Sequence, residues 1–336
     1  MKITVQHNLR NHHTFKINLY CDKFIEIEHD DNLDFLWENN IFETSFFILG
    51  GGSNVLFTKN YNGTIIHLNS KGIKIISETD KSIFIEVAAG EIWNDFVEFC
   101  IHHNYFGAEN LVGIPGQVGS CPVQNIGSYG VEVKDIIHKV KGRSVETGEE
   151  KVLTREECNF EYRNSIFKNE LKDKFLITSV VFKMSKEEQY HLSYNNLNSL
   201  IQANTQPLSL TTVKNTILEI RNKKLPNLQE IGCAGSFFKN PIISLSTFKN
   251  IQKQFPELVH FPVDEYTVKL AAGQLIELCG WKGYRKGDAG VYSHQALVLV
   301  NYGNATGEQL LALSNEISYS VYRHFGVRIE PEVKIL

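Results

Sequence analysis

An α+β fold in two parts is what the sequence predicts, and three observations carry the prediction. Over the first two thirds of the chain, short runs rich in Phe, Ile and Val are bounded by Gly, Asn or Asp, as strands are. Beyond Tyr190, apolar residues recur instead at helical spacing. The 336 residues are 42% hydrophobic and 21% charged, with 24 Gly and 8 Pro. That supplies apolar mass for one large core or two smaller ones and excludes disordered, collagenous and coiled-coil chains.

Residues 24–28, 45–49, 64–68 and 82–88 are the first expected strands. Residues 91–103 differ, because Ile92, Phe96 and Phe99, with Val97 and Cys100, recur at helical spacing and Asn104 to Gly107 closes the pattern, which makes one amphipathic helix. Residues 135–145 and 149–153 read as a hairpin about Thr147-Gly148, Thr154 with Glu157 resembles a capping box, and 174–184 is another strand. A polar connector follows, with Asn195, Asn196, Asn198, Asn204 and Pro207, and the domain boundary is expected within it, between residues 205 and 206. Beyond it, residues 211–223, 244–255, 269–279 and 307–323 carry apolar stripes of helices, with Pro226, Pro256 and Gly280 as stops and strands at 295–300 and 327–336. No internal repeat or low-complexity tract is present.

Charge and cysteine usage narrow the function. Lys plus Arg number 34 against 38 for Asp plus Glu, a formal charge of -4, so no basic field exists to hold a nucleic-acid backbone, although a small phosphorylated ligand is compatible. Residues 1–15 lack the apolar core of a signal peptide, and apolar runs such as 296–300 are too short to span a bilayer. A cytoplasmic protein without membrane insertion is expected, and the near-neutral charge without an apolar seam makes a monomer the expectation. Cys21, Cys100, Cys121, Cys158, Cys233 and Cys279 form no C-x-x-C pair, which argues for free, mostly buried thiols rather than zinc or disulfides. The adjacent pairs His12/His13 and His102/His103 diverge on any regular element and have no carboxylate at ligand spacing, so no metal is expected.

Two segments carry chemistry. Gly50-Gly51-Gly52-Ser53-Asn54 lies between two strand-like runs. Glycines at positive φ can turn successive N–H groups inward as an anion-binding nest, with Ser53 and Asn54 adding bonds, which suits a pyrophosphate. The segment is neither a Rossmann fingerprint, since strand and not helix follows, nor a P-loop, since Gly-Lys-Ser/Thr is missing; it reads equally as a glycine-rich hairpin. The second segment, residues 113–130, holds five glycines, two prolines and the amides Gln117, Gln124 and Asn125. Such backbone can lie flat against a ring, and its amide edges match the donors and acceptors of an isoalloxazine.

Five strings then carry a specific resemblance. Residues 48–57, residues 114–130, Tyr162-Arg163-Asn164-Ser165-Ile166-Phe167-Lys168, Gly235-Ser236-Phe237-Phe238-Lys239-Asn240-Pro241 and Glu330-Pro331-Glu332-Val333 occur in the order found in the UDP-N-acetylenolpyruvoylglucosamine reductase family, which the chain resembles over nearly its whole length. The resemblance implies an FAD-binding fold of the vanillyl-alcohol-oxidase (PCMH) type, in two subdomains, over residues 1–205. It further implies an α+β substrate-binding domain over 206–326 and a C-terminal strand, 327–336, that returns to the active site. The implied reaction is NADPH-dependent reduction, through FAD, of the enolpyruvyl ether UDP-N-acetyl-3-O-(1-carboxyvinyl)-glucosamine to UDP-N-acetylmuramate, a peptidoglycan precursor. FAD contacts implied are Gly50, Gly51, Gly52, Ser53, Asn54, Ile114, Gly116, Gly119, Ser120, Gln124, Asn125, Ile126 and Gly127.

Hydride addition to an enolpyruvyl ether places negative charge on the neighbouring carbon and carboxylate, so the site needs a cation at the carboxylate and a proton source. Arg163 offers a fork of donors, and the family's catalytic arginine falls on it. Ser236, in a small-residue turn ahead of an aromatic pair, reads by itself as a turn residue; the resemblance makes it the proton donor. Glu330 and Glu332 share one face of an expected terminal strand, either able to reach the site, and the family's catalytic glutamate aligns with Glu332. For the uridine diphosphate the resemblance carries Tyr194, Lys224, Asn240 and Gln295, Tyr194 placing the chain in the type with a tyrosine loop. Arg221 matches a position near the flavin, and Lys334 stands where some members have arginine. Two other readings stand beside this one: a different flavin oxidase of the same fold, and a non-catalytic nucleotide-binding protein. No histidine neighbours residues 50–54 in sequence, which argues against a covalent flavin link there.

Overall fold

The computed structural model describes residues 1–194, 196–203 and 206–336, so Asn195 and Asn204 of the expected connector, and Thr205 at the expected boundary, lie outside the described residues. The chain divides into two compact units. The first comprises Met1–His7, Cys21–Gly51 and Asn62–Arg221, and the second comprises Asn8–Tyr20, Gly52–Tyr61 and Asn222–Leu336. The segments expected at 1–205, 206–326 and 327–336 are continuous in sequence, whereas these units are interleaved.

A five-stranded sheet organises the first unit, in the order Glu150–Thr154, Ile137–Ser144, Phe175–Ser185, Ser82–Ala88 and Ile73–Glu78, every neighbouring pair antiparallel. Ile83, Ile85 and Val87 alternate into the core from Ser82–Ala88, the period of two that a half-buried strand requires. Against this sheet lies the helix Trp93–His102, which buries Trp93, Phe96, Val97, Cys100 and Ile101. Its Phe96 ring stacks on Phe182 with centroids 4.5 Å apart, and the buried Trp93 indole N–H donates to the Leu111 carbonyl at 2.9 Å. A four-stranded sheet, in the order Lys2–Asn8, Tyr20–Ile27, Tyr61–Leu68 and Phe46–Ile48, carries a second cluster that includes Ile25, Ile27, Leu36 and Ile66.

The second unit has a four-stranded sheet, Gly232–Cys233, Leu299–Asn301, Ala289–Val291 and Arg285–Lys286, and a three-stranded one, Ile242–Ser244, Thr267–Leu270 and His260–Pro262. Its long helix, Gly307–Phe325, starts with a reciprocal box in which Thr306 and Gln309 bond each other's backbone N–H, and stops at Gly326 with φ 69°.

The α+β class and most elements match expectation, with four corrections. The expected helix 269–279 is the helix Ala272–Leu278 preceded by the strand Thr267–Leu270. Val268 and Leu270 are buried at a period of two, and Leu270 N donates to Pro241 O at 2.9 Å, so a ladder takes residues the helical stripe had absorbed. Within the expected strand 327–336 the strand is Lys334–Ile335, parallel to Val55–Leu56, with Pro331 in a single antiparallel bridge to Phe238, and the strand expected at 295–300 is Leu299–Asn301. Thr154 and Glu157 do exchange backbone bonds, at 2.7 and 3.3 Å, but close a turn with no helix behind it. Strands Lys2–Asn8 and Ile73–Glu78 have no sequence signature because both are sheet edges with mostly exposed side chains. All six cysteines are free, five buried and Cys279 half-buried.

Candidate active site

The glycine run is needed for different reasons at its different positions. A Cβ on Gly51 would stand 2.8 Å from Gly116 Cα, and one on Gly50 3.1 Å from Ser120 Cβ, so in the first unit the two glycine-rich segments meet backbone to backbone. Gly52 alone of the three has positive φ, 61°, and in the second unit its Cβ would meet His12 O at 2.1 Å. This corrects the expectation of a nest built from positive φ along the whole run. It also brings His12 and His13, distant in sequence, against the loop, with Thr14 N donating to Gly52 O at 3.1 Å. The His13 imidazole is buried, its Nε2 3.1 Å from Ile17 O.

Side chains expected at the flavin edge largely serve the protein itself. The Gln117 amide donates to Leu68 O and Gly90 O at 3.2 and 3.3 Å. Ser120 Oγ donates to Gln117 O at 2.7 Å. Asn125 is fully buried, with φ 47°. Its Nδ2 donates to Glu132 Oε2 at 3.0 Å and Glu161 O at 2.9 Å, while its Oδ1 accepts Lys134 N at 3.1 Å. With its side chain so engaged, Asn125 shapes the loop. Ile114, Gly116, Gly119, Ser120, Gln124, Ile126 and Gly127 are half-buried, Ile114 and Ile126 packing against the core while the three glycines carry no side chain.

Asn125 also holds the turn that presents Arg163. Glu161 and Asn164 close this turn with reciprocal backbone bonds of 3.1 and 3.2 Å, and Arg163 sits inside it with φ 55°. A left-handed arginine costs on the order of 1 kcal/mol and persists only where surrounding bonds over-determine it. Here Arg163 Nη2 donates to Gly127 O at 2.9 Å and Lys168 Nζ to Arg163 O at 3.2 Å. Arg221 is anchored likewise, Nη2 donating to Gly113 O at 2.9 Å, and burial pushes its guanidinium below the usual range. Tyr194, 41% exposed, sets its ring edge-on to Tyr129 at 6.0 Å.

In the second unit the fold brings Ser236 and Glu332 together. Ser236 is exposed between Gly235, with φ 67°, and the buried pair Phe237 and Phe238. Phe237 N donates to Leu297 O and Glu332 N to Phe237 O, each at 2.7 Å, while Lys239 N donates to Glu330 O at 2.9 Å. The C-terminal segment thus runs beside residues 237–239 on one side. On its other side Asn54 Nδ2 donates to Glu332 O at 3.2 Å and Lys334 N to Asn54 O at 3.0 Å. Of the two glutamates Glu330 is exposed and Glu332 half-buried, with Ile329 and Val333 buried. Asn240 and Gln295 converge on the helix Ala272–Leu278: Asn240 Oδ1 accepts Ala272 N at 3.0 Å, and Gln295 Oε1 lies 3.0 Å from where a Gly273 Cβ would be. Lys224 is exposed at the end of the helix Leu210–Lys224.

Sequence reasoning missed Glu109 and Asn110, both 1% exposed. Their signal is a charged residue and an amide inside the otherwise apolar stretch 105–114. Among the described residues no group of three or more His, Cys, Asp or Glu could hold a metal ion, and no helix is long and apolar enough to cross a membrane.

Residues 29–153 match the family described as FAD binding domain, and residues 226–336 that described as UDP-N-acetylenolpyruvoylglucosamine reductase, C-terminal domain. The UDP-N-acetylenolpyruvoylglucosamine reductase of Flavobacterium johnsoniae is 46% identical over 338 residues, covering 100% of both chains. The crystal structure of the reductase from Thermus caldophilus aligns with a TM-score of 0.69 at 21% identity, over 99% of this chain and 98% of that one. That of p-cresol methylhydroxylase aligns with a TM-score of 0.51 at 10% identity, over 97% and 84%, a likeness of fold. Fold and matches together define an FAD-binding oxidoreductase with the PCMH-type architecture. The chain belongs to the UDP-N-acetylenolpyruvoylglucosamine reductase family.

Proposed function

We propose that the protein reduces the enolpyruvyl group of UDP-N-acetyl-3-O-(1-carboxyvinyl)-glucosamine to give UDP-N-acetylmuramate for peptidoglycan synthesis, with FAD as bound cofactor and NADPH as reductant, acting as a cytoplasmic monomer. The observation that carries this reading is the backbone ladder that sets Glu332 beside Phe237, one residue from Ser236, in a chain of this family. The residues present fit FAD, since Gly50, Gly51, Gly116, Gly119 and Gly127 are half-buried and carry no side chain to block the approach of a flat ligand to their main chain. Gly50, Gly51, Gly52, Ser53 and Asn54 would hold its pyrophosphate, and Ile114, Gly116, Gly119, Ser120, Gln124, Asn125, Ile126 and Gly127 would flank its ring system. When bound and reduced, FAD supplies the hydride that adds to the alkene.

The chain's own residues do the rest. Arg163, its guanidinium already braced against Gly127 O, takes the substrate carboxylate and stabilises the negative charge that develops there. Ser236 Oγ gives its proton to the carbon next to the carboxylate, and Glu332, fixed through its main chain on both sides, orients the acid. Tyr194, Lys224, Asn240 and Gln295 hold the uridine diphosphate. The test is anaerobic: the purified yellow protein is bleached by NADPH, then mixed with the enolpyruvyl UDP-sugar. Return of the flavin absorbance with one UDP-N-acetylmuramate per flavin is expected. A protein that is colourless, or is bleached and not reoxidised by this sugar nucleotide, defeats the reading.

A further inference from the structure

A buried carboxamide outside the residues assigned above ties together two segments beneath Tyr194. Asn110 lies on the short turn Glu109–Leu111, which Glu109 fixes by accepting Gly107 N at 2.7 Å. Asn110 Nδ2 donates to Tyr129 O at 2.8 Å and to His191 O at 2.7 Å, carbonyls 19 and 81 positions away in sequence. Its Oδ1 has no hydrogen-bond partner among the described residues. Flipping the amide would set Oδ1 against two carbonyl oxygens, so the donors fix the orientation. One carbonyl belongs to Tyr129, which with Gly130 lies against Tyr194, and the other lies three residues before Tyr194 in the chain. Tyr129, with φ 49°, receives the Tyr194 ring on its own, and Tyr194 Cβ lies 3.2 Å from where a Cβ on Gly130, with φ 83°, would be. A tyrosine does not hold a left-handed conformation by local preference, and the Asn110 bond supplies a tertiary restraint.

We infer that Asn110 is a positioning residue: by donating to Tyr129 O and His191 O it fastens the Tyr129–Gly130 backbone to the segment leading into Tyr194 and sets where the Tyr194 hydroxyl meets the diphosphate of the sugar nucleotide. The inference rests on the reading of Tyr194 given above. It is tested with Asn110→Ala and Asn110→Asp holoenzymes. The KM for the enolpyruvyl UDP-sugar rises by about 10- to 100-fold, the cost of misplacing a binding group, and the loss falls on this half-reaction rather than on flavin reduction by NADPH. Asn110→Asp is the worse variant, because a carboxylate faces two carbonyl oxygens; if Asn110 merely filled space, the isosteric Asp would be the milder one. Adding Asn110→Ala to Tyr194→Phe raises KM by less than Asn110→Ala does alone.

If Tyr194→Phe leaves KM unchanged, the diphosphate reading fails. If Tyr194→Phe raises KM while the Asn110 variants do not, or the two effects multiply independently, or Asp is milder than Ala, the positioning role is wrong. Should the Asn110 variants not fold, Gly130→Ala presses on Tyr194 from the other side and is expected to raise the same KM; an unchanged KM overturns the inference.

Discussion

The role proposed for Ser236 depends on its neighbours rather than on its own chemistry. A serine hydroxyl is a poor acid, but this one is exposed between a left-handed glycine and two buried phenylalanines whose backbone is bonded to Leu297 and to Glu332. The backbone that follows it is therefore held in place while the side chain stays accessible. Ser236→Ala should keep FAD and its reduction by NADPH yet slow reoxidation by the sugar nucleotide by about 10²- to 10⁴-fold, the usual cost of losing a general acid. Ser236→Cys should recover part of the rate and Glu332→Gln should depress the same step. Stopped-flow absorbance of the two half-reactions decides it: an effect only on reduction by NADPH, or none, returns Ser236 to a turn residue. At this scale the sequence conveyed donor types and missed their destinations. Arg163 was legible as a fork of donors, whereas its φ of 55° depends on bonds that include one to Gly127, 36 residues away. Asn125 was legible as a loop amide, but which partners satisfy it depends on Glu132, Lys134 and Glu161 arriving beside it.

Elements were legible where one face is buried and the other wet, as in Ser82–Ala88 and Trp93–His102, because burial writes the period into the sequence. Edge strands and the C-terminal segment were not, since their order comes from neighbours: residues 330–334 are extended because Phe237, Lys239 and Asn54 bond them, with Pro331 where no donor is required. The glycine segment shows the same dependence. Gly51 is excluded from carrying a side chain by Gly116 Cα at 2.8 Å from its absent Cβ, a constraint that lies in a loop more than sixty residues on. Gly51→Val therefore forces the two segments apart and should yield a folded, colourless protein, with native far-UV circular dichroism and no flavin absorbance. A Gly51→Val protein that purifies with full flavin would show that the loops part without cost to the cofactor.

At the scale of the whole chain, each unit draws on segments distant in sequence, and acid stability should report on one such exchange within the second unit. The second unit takes in Asn8–Tyr20 from the start of the chain. There Cys233 N donates to Thr14 O at 3.1 Å and Asn301 Nδ2 to Phe15 O at 2.9 Å, so releasing this segment strips partners from two strands of that unit's sheet. His13 lies within the segment, 3% exposed, with Nε2 facing Ile17 O and Nδ1 buried and without a hydrogen-bond partner among the described residues. Protonation would put a charge on a buried Nδ1 with no acceptor among the described residues. Burial accordingly pushes the imidazole down from 6.5 to about 4, with the Ile17 bond opposing weakly. The folded state binds this proton less readily than the unfolded chain, so stability is intact above pH 6.5 and falls as pH drops towards 4, by roughly 3 kcal/mol in all. His13→Gln keeps an N–H for Ile17 O and has nothing to titrate. Calorimetric Tm values of the two holoenzymes should run parallel above pH 6.5, and below it the wild type should lose several degrees relative to the variant, the gap levelling off near 4. Curves that stay parallel down to that pH would mean the imidazole accepts its proton in place, and that this segment opens to water without the rest of the unit unfolding.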